Sequence, residues 1–306
     1  MSVGVKKPFA KRGFLQFGLR TLLFVTAAVS VWLGLYVDRA RRQQEAVRAI
    51  RAAGGWIYYD FQEQPRGSGK FDVRARSRLP KWLVDTLGED FLFDAVEVNL
   101  VYSYDSGQRQ DNKNLSGDLL PNVAALPKLK RLLLCHGQAT DEGLTHVGGL
   151  RDLEALYMWE ASEVTDEGLA HLTGLHKLKH IHVGNSRITD KSLAVLSQLP
   201  ALEYLALQGN RFTDSGLSSF RGNTVVHSLW VGRGPTDITD DGAAFLAEAP
   251  NLEEIDLQGT KVTSKALDRF ARMTKLNHLM IGGTRIDESD IRRFESALPS
   301  CKVSRQ

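Results

Sequence analysis

The sequence has little cysteine and lacks the short motifs that mark the common active sites. Its two cysteines, Cys135 and Cys301, are too few in 306 residues to decide between an oxidising and a reducing compartment. No Ser-His-Asp order, phosphate-cradling glycine loop or paired-carboxylate signal stands out along the chain. These absences argue against catalysis, and we expect neither enzymatic activity nor a bound cofactor.

A repeat of 24 to 26 residues dominates the sequence from Leu129 onward. In its frame, L-x-x-L-x-L, the last two apolar residues are two apart, so on a β-strand they point to one face and are buried together. The residue between them points to the other face. The frames are Leu129-Leu132-Leu134, Leu153-Leu156-Met158, Leu178-Ile181-Val183, Leu202-Leu205-Leu207, Val226-Leu229-Val231, Leu252-Ile255-Leu257, Leu276-Leu279-Ile281 and a broken copy, Leu298-Cys301-Val303.

A second constant element follows the first six frames, with a looser copy at residues 262–267, and is typified by V-T-D-E-G-L at residues 164–169. Threonine followed by acids and an apolar run predicts a helix start, because the hydroxyl caps free amides and the acids favour the positive end of the helix dipole. The acids are spread along the repeats without a cluster at ligand spacing, so calcium binding is not expected. Each repeat is predicted to be a strand, a turn and a short helix.

These motifs resemble the leucine-rich repeat family over roughly residues 94–303. The T-D-x-G-L element is similar to the cysteine-containing subtype with small residues in place of the cysteine. The resemblance implies an α/β solenoid with a parallel β-sheet on its concave face and short helices on its convex face, a shape that usually serves binding. Of the positions where the family often carries asparagine, this chain keeps Asn210, so a continuous asparagine ladder is not expected.

The repeat frame also separates the two cysteines. Cys135 and Cys301 lie seven repeats apart, and at about 4.8 Å per parallel strand this distance is roughly 33 Å. A disulfide needs Cα atoms within about 7 Å. We therefore expect both thiols to be free and no metal ion to be held between them.

An apolar stretch near the start of the chain, residues 21–37, contains no charge over seventeen residues. A helix of this length spans about 26 Å, close to the minimum for crossing a bilayer. Trp32 and Tyr36 lie near its far end, where interfacial aromatic residues belong. No small-x-small cleavage site follows, which favours an uncleaved signal anchor over a cleaved signal peptide or a soluble core helix.

Charge is divided along the same line. Residues 1–55 hold ten Lys/Arg and two Asp/Glu, whereas the remaining chain holds 29 and 34, so a basic segment beside the membrane precedes an acidic solenoid. Nucleic-acid binding is not expected, because the solenoid offers no basic stripe. Five cations lie on each side of the apolar stretch, so the positive-inside rule does not decide the orientation. A short basic tail normally stays in the cytoplasm, which favours an extracytoplasmic solenoid.

Between the anchor and the solenoid, we expect a cap that covers the first edge of the sheet. A basic helix should continue from the membrane to Gly54-Gly55, followed by a strand at 56–61, a loop at 64–69 and a short helix from Pro80 to Leu87. Phe91 to Phe93 and then Val96, Val98 and Leu100 should enter the first sheet strand. The predicted division is 1–37 tail and transmembrane anchor, 38–95 juxtamembrane helix and cap, and 96–306 solenoid.

The front half carries a second resemblance. The succession F-G-L-R-T-L-L, W-L-G, A-I-R-A-A-G-G, Y-Y-D, P-K-W-L and L-G-E-D-F is similar to membrane-anchored leucine-rich repeat proteins of planctomycete bacteria. This likeness implies a location in the bacterial inner membrane. It implies no activity.

The outward residues of the strands supply the candidate ligand-binding site. The middle residue of each L-x-L should be exposed on the concave face, and these residues are Leu133, Tyr157, His182, Ala206, Trp230, Asp256 and Met280. Residues two positions before or after them on the same face, such as Arg131, His180, Tyr204, His278 and Trp159, should extend this surface. Tyrosine, tryptophan and arginine are enriched at binding hot spots. Alternatively, the aromatic residues simply cover strand backbone or pack against the cap. The predicted site is Arg131, Tyr157, Trp159, His180, His182, Tyr204, Trp230, His278 and Met280.

Zinc binding at this site is not expected. His180 and His182 could chelate through an H-x-H pair, but a zinc site needs three or four ligands. The next strand histidine, His278, lies four repeats from His182, roughly 19 Å away by strand spacing.

Three functions fit the sequence. The first is a membrane-anchored, non-catalytic module that recognises a protein ligand of unknown identity through its concave face. The second is a structural envelope protein whose solenoid associates with copies of itself. The third is an intracellular adaptor, which the lack of a second folded module makes less favourable.

Overall fold

The computed structural model describes residues 18–64, 70–72, 74–105, 108–111, 119–135 and 137–305. The basic tail predicted within residues 1–17 and the loop predicted at 64–69 lie, apart from Gln64, outside the described residues.

A single helix, α1 (Leu19–Ala52), opens the described chain. At 1.5 Å per residue its 34 residues extend for about 51 Å. Among the described residues, α1 is the one helix that is long and apolar enough to cross a membrane. Its most apolar 18-residue stretch has a mean hydropathy of 1.7, and none of that stretch is buried. The predicted boundary at residue 37 falls inside it without a break. The helix ends before Gly54, which has a φ of 88°, a left-handed conformation that favours glycine.

The cap packs against the second half of α1. It comprises β1 (Trp56–Tyr59), α2 (Lys81–Leu87) and α3 (Glu89–Leu92). Gln43 is buried and its side-chain amide donates to the carbonyl oxygens of Asp90 at 2.7 Å and Phe93 at 2.6 Å. Arg39 pairs with Asp94 at 2.5 Å. These contacts join the helix firmly to the folded domain.

Two features of this region differ from the sequence-based expectation. Phe91 and Leu92 belong to α3, so the prediction that they enter the first strand was wrong. Glu89 and Asp90 follow Gly88, which has a φ of 84°, and acids at a first turn favour a new helix. The hairpin of β3 (Tyr102–Asp105) and β4 (Gln108–Asp111) was also not anticipated.

The main sheet has ten strands in the order β1-β2-β5-β6-β7-β8-β9-β10-β11-β12. Its neighbours pair in parallel, except that β1 lies antiparallel to β2 and covers the first edge as predicted. The broken final frame forms the last strand. The remaining strands are β2 (Ala95–Asn99), β5 (Arg131–Cys135), β6 (Ala155–Trp159), β7 (His180–Val183), β8 (Tyr204–Ala206), β9 (Ser228–Trp230), β10 (Glu254–Asp256), β11 (His278–Met280) and β12 (Lys302–Ser304).

Short helices occupy the opposite side of the solenoid, and six of them begin as the sequence predicts. A threonine precedes each, and its hydroxyl accepts a hydrogen bond from an amide of the first turn, as Thr140 does from Gly143 at 3.0 Å. After α4 (Leu120–Val123), the helices are α5 (Asp141–Val147), α6 (Asp166–Ala170), α7 (Asp190–Leu196), α8 (Asp214–Leu217), α9 (Asp240–Ala247), α10 (Ser264–Phe270) and α11 (Glu288–Ala297). The leucines of strands and helices meet in one continuous core.

The aspartate of the T-D-x-G-L element joins neighbouring repeats, a role that helix capping alone did not predict. Asp214, for example, accepts hydrogen bonds from the amide of Thr239 at 2.7 Å and from its hydroxyl at 2.6 Å. The same pair of bonds occurs at five successive junctions and so links six repeats. The partners are Asp141 with Thr165, Asp166 with Thr189, Asp190 with Thr213, Asp214 with Thr239, and Asp240 with Thr263.

This Asp–Thr ladder also explains the glycine in the element. A Cβ atom at Gly168, Gly216 or Gly242 would overlap the carboxylate that reaches over from the preceding repeat. At the same place in α7 the chain has Ser192, whose hydroxyl donates to Asp166 at 2.5 Å instead. At these three positions the glycine therefore leaves room for the carboxylate of the ladder.

Replacing Asp214 with alanine should destabilise the solenoid by about 2–4 kcal/mol, because two hydrogen bonds to a charged acceptor are lost and Thr239 loses its partner. Urea unfolding followed by circular dichroism measures this change. Asp241→Ala is the matched control: Asp241 is an exposed acid in the first turn of α9 and takes no part in the ladder. Equal losses in the two variants would refute a specific inter-repeat role.

Candidate binding surface

Strand register brings the outward residues of the sheet into two parallel rows. In the first row, Glu97 is beside Arg131, followed by Ala155, His180 and Tyr204. In the second row, Leu133 is followed by Tyr157, His182, Ala206 and Trp230. Neighbouring strands are about 4.8 Å apart. Side chains from different repeats can therefore act as one surface.

Six ring-bearing residues on β6 to β9 form what we call the aromatic patch: Tyr157, Trp159, His180, His182, Tyr204 and Trp230. All six are half-buried, so part of each side chain remains exposed. Tyr157 and Trp159 are stacked, with ring centroids 5.5 Å apart, and Trp159 lies 5.3 Å from His182. Tyr204 is 5.9 Å from His180 and meets Trp230 edge-on at 5.2 Å. Offset and edge-on contacts of this kind are the favourable arrangements for aromatic rings.

A cavity of about 410 Å³ adjoins this patch on the side of the cap. Phe71 of the cap and Tyr157 of β6 form its apolar walls. The guanidinium of Arg131 lies between them, 5.9 Å from the Phe71 ring and 6.0 Å from the Tyr157 ring. Arg131 also pairs with buried Glu97 at 3.0 Å. The cap is therefore part of the candidate site.

The aromatic patch is kept neutral at physiological pH. Burial lowers the pKa of His182, and burial is also the largest cause of the lowered pKa of His180. Burial raises the pKa of the Tyr157 and Tyr204 phenols, so these groups keep their protons. Loss of hydration disfavours the charged form in both cases. A ligand meets rings and neutral polar groups here rather than charges.

Charged side chains line the edge where the strands begin. Asp152 pairs with Lys128 at 2.9 Å and with Lys177 at 2.6 Å. Lys130 pairs with Glu63 of the cap at 3.1 Å, and Lys179 pairs with Glu154 at 3.3 Å. This charged edge was not predicted from the sequence. Its signal was the alternation of Lys130, Glu154, Lys179 and Glu203 at one position of successive repeats.

The structure groups seven of the nine predicted site residues and separates the other two. Arg131 joins the six members of the aromatic patch, but His278 and Met280 lie on β11, two strands beyond Trp230. His278 contacts Ser304 at 2.9 Å. The role of all nine in binding remains a prediction.

The expectation that the outward strand residues are exposed was wrong at three positions, and the other four, Leu133, Tyr157, His182 and Trp230, are half-buried rather than fully exposed. Ala206 and Asp256 are fully buried, and Met280 is 7% exposed. At Asp256 the reason is visible: the Gln258 amide donates to its carboxylate at 2.9 Å and Arg233 pairs with it at 3.6 Å. Residues that follow the short strands thus close over the second row toward the C-terminal end.

The histidines and cysteines have structural surroundings. No group of three or more His, Cys, Asp or Glu suited to a metal ion occurs among the described residues. Cys135 and Cys301 are both free and buried, which confirms that they do not pair. Asn210, the asparagine that the chain keeps at the family's asparagine position, also has a structural role. Its side-chain amide donates hydrogen bonds to the carbonyl oxygens of Val183 and Leu207 within the core.

Comparisons with known proteins support the repeat assignment. The family model described as Leucine Rich repeat matches residues 198–220, which confirms the predicted leucine-rich repeat for that segment. None of the curated proteins compared with the chain matches it. The resemblance to planctomycete proteins is not shown by these comparisons and remains a prediction.

Three solved structures illustrate the similarity. An internalin from Listeria monocytogenes is 18% identical, covers 63% of this chain and 58% of its own, and has a TM-score of 0.46. Internalin C2 from the same organism is 21% identical, with coverages of 55% and 66% and a TM-score of 0.42. A leucine-rich repeat protein from Leptospira interrogans is 19% identical, with coverages of 60% and 45% and a TM-score of 0.44. The chain thus spans between 45% and 66% of the length of these proteins.

Glu97 should make stability near the cavity depend on pH. Burial is the largest cause of its raised pKa of about 7, opposed by Arg131 and reinforced by Glu63. The unfolded value is about 4.3, so the folded chain retains this proton between the two values. Stability from Glu97 is thus present below about pH 4.3 and is lost, by about 3–4 kcal/mol, as pH rises through 7.

Urea midpoints of the wild type and of Glu97→Gln, measured from pH 4 to pH 8, test this dependence. The wild type should lose stability relative to the variant as pH rises, because glutamine does not titrate. Glu167→Gln, which alters an exposed glutamate on α6, serves as the control. Parallel curves for the wild type and Glu97→Gln would contradict the raised pKa.

Proposed function

We propose that this chain is a membrane-anchored, non-catalytic recognition module that binds a protein ligand through the concave face of its solenoid. The observation that carries the proposal is the aromatic patch, which extends over four adjacent strands from β6 to β9. Each of the six side chains is half-buried, so the patch retains some surface that a partner can cover. Leucine-rich repeats generally serve as protein-interaction modules, and their concave sheets are the usual contact surface.

The chemistry of the patch favours a protein ligand with apolar and neutral polar side chains. Tyrosine and tryptophan provide large contact areas together with a polar group, and they are over-represented at binding hot spots. The neutral histidines add ring surface without a charge that must be desolvated. The paired charges of Lys130, Lys179 and Glu154 along the strand edge would form the polar rim of such an interface.

For the anchor, α1 supplies support of a different kind. Its apolar side chains are exposed where the helix has left the folded domain, with Phe24 at 76%, Leu35 at 66% and Trp32 at 64%. A bilayer would remove this surface from water. We propose that residues 21–37 remain as an uncleaved anchor in a bacterial inner membrane and that the solenoid lies outside the cytoplasm. Residues 38–95 then act as juxtamembrane helix and cap, before the solenoid at 96–306.

Replacing both Tyr157 and Trp230 with alanine should abolish most ligand capture while leaving folding cooperative, because both rings lie on the sheet surface and outside the buried core. Truncation of two hot-spot residues costs about 2–4 kcal/mol of binding free energy or more. A photo-crosslinking amino acid at His182 in the full chain would identify the ligand in membranes. The yield of that adduct is then compared between the wild type and the double variant.

Phe245→Ala is the matched control, because it removes a partly buried ring from α9, away from the concave sheet. It should leave the adduct yield unchanged. An undiminished yield in the Tyr157 and Trp230 double variant would refute recognition by the concave face.

An arginine at both Val29 and Leu33 should release the chain from the membrane fraction, since each charge near the centre of a span costs about 2.5–3.5 kcal/mol. The measurement is resistance to alkaline carbonate extraction. The control is Glu45→Arg, an exposed position of α1 beyond the apolar stretch. Loss of the first residues from the mature chain, detected by intact mass, would show instead that the segment is a cleaved signal.

A further inference from the structure

A basic segment, residues 74–82, lies on the cap and takes no part in the concave face. Its sequence is R-A-R-S-R-L-P-K-W, with four cations and no acid. Arg74, Arg76, Arg78 and Lys81 are all exposed. Their side chains form no ion pair or hydrogen bond with the part of the chain that the structure describes. Free cations concentrated in nine residues make this a surface for a negatively charged partner.

The basic segment also exposes large apolar side chains. Trp82 is 69% exposed and Leu79 is 39% exposed, although both residues belong to the folded cap. At the other end of α2, Leu87 is 38% exposed. Lysine and arginine combined with an exposed tryptophan and leucine are typical of surfaces that lie in a membrane interface.

Contacts between the cap and α1 locate α2 and α3 beside the end of the apolar stretch. The Tyr36 hydroxyl donates to the carbonyl oxygen of Phe91 at 3.3 Å, and their rings meet edge-on at 5.9 Å. The Gln44 side chain donates to the carbonyl oxygen of Leu87 at 3.3 Å. Tyr36 is itself an interfacial residue of the proposed span. The cap therefore begins at the level where the helix leaves the bilayer.

The distances suit an electrostatic contact with lipid headgroups. Gln44 is seven residues beyond Val37, which is about 10 Å along the helix axis. The headgroup layer extends about 5–8 Å from the hydrocarbon edge, and charges act over a further 8–10 Å in physiological salt. The end of α2 that contacts Gln44 is thus within range of the headgroups, and α2 itself is about 10 Å long.

We propose that residues 74–82 dock onto anionic phospholipid headgroups of the same bilayer that α1 crosses. This inference rests on the membrane anchor proposed above. The four cations pair with headgroup phosphates, while Trp82 and Leu79 enter the interface. Between Lys70 and Glu89 the chain has five cations against three acids, Asp72, Asp85 and Glu89, so the surroundings remain attractive to anions. A second attachment point fixes the tilt of the solenoid, which a single helix would leave free.

The test uses the full chain in lipid nanodiscs of phosphatidylcholine, with or without phosphatidylglycerol. Because Cys135 and Cys301 are buried, a fluorophore can be attached selectively at Ser77→Cys inside the basic segment. Thr274→Cys, exposed between α10 and β11, gives a reference label on the solenoid. A lipid with a nitroxide on its headgroup quenches a fluorophore that lies at the membrane surface.

We expect strong quenching of the Ser77→Cys label in the discs with phosphatidylglycerol, weaker quenching without it, and no quenching of the Thr274→Cys label in either. Each cation removed should lower the docking equilibrium constant by about fivefold at low salt. Trp82→Ala should weaken docking as well. The test triple is Arg74→Gln, Arg76→Gln and Arg78→Gln; the matched triple, with the same change in net charge on exposed solenoid positions, is Arg187→Gln, Arg211→Gln and Arg285→Gln.

Two results would overturn the proposal in distinguishable ways. A chain that does not co-elute with the nanodiscs would refute the anchor and the docking together. A chain that co-elutes, but whose Ser77→Cys label is quenched equally in both lipid mixtures, would refute the docking and leave the anchor intact. Equal quenching of this label in the test triple and in the matched triple would do the same. In that case residues 74–82 would be free for a different macromolecule.

Discussion

The register between neighbouring repeats is the constraint on which the rest of this structure depends. A strand that slipped by one residue would turn its leucines toward solvent and its outward residues into the core. Two interactions hold the register: the parallel ladder of the sheet on one side and the Asp–Thr ladder on the other. The second needs space, and glycines such as Gly216 supply it. Without this agreement between both sides, the two rows of the concave face would not exist.

The concave face follows from that register. Tyr157 and Trp230 are distant in sequence, yet the sheet brings them into one row. His182 and Ala206 lie between them in that row. Burial keeps the histidines and tyrosines uncharged, while lysines and glutamates neutralise one another along the strand edge. The result is a neutral aromatic patch with a polar rim, bounded by a cap that also contacts α1. Recognition and membrane attachment would thus be carried by one connected body.

How much of this could be predicted from sequence depends on how local the cause is. The strands, the threonine caps and the free cysteines follow from period, spacing and distance, and the structure agrees with them. The role of Asp214 was not predictable from its own repeat, because its partner Thr239 belongs to the next one. The burial of Asp256 involves Gln258 and Arg233, which lie beyond the strand ends. The short helix at Phe91 depended on a turn at Gly88, which an apolar run does not reveal.

The central claim is that the aromatic patch is the surface that a protein ligand covers. Oxidative footprinting of the full chain in nanodiscs, with and without the cross-linked ligand, measures the solvent access of each ring directly. The account predicts that Tyr157, Trp159, Tyr204 and Trp230 become protected from oxidation while Phe245 on α9 does not change. Protection confined to Phe245 and the helical side, with the four concave rings still oxidised, would contradict it.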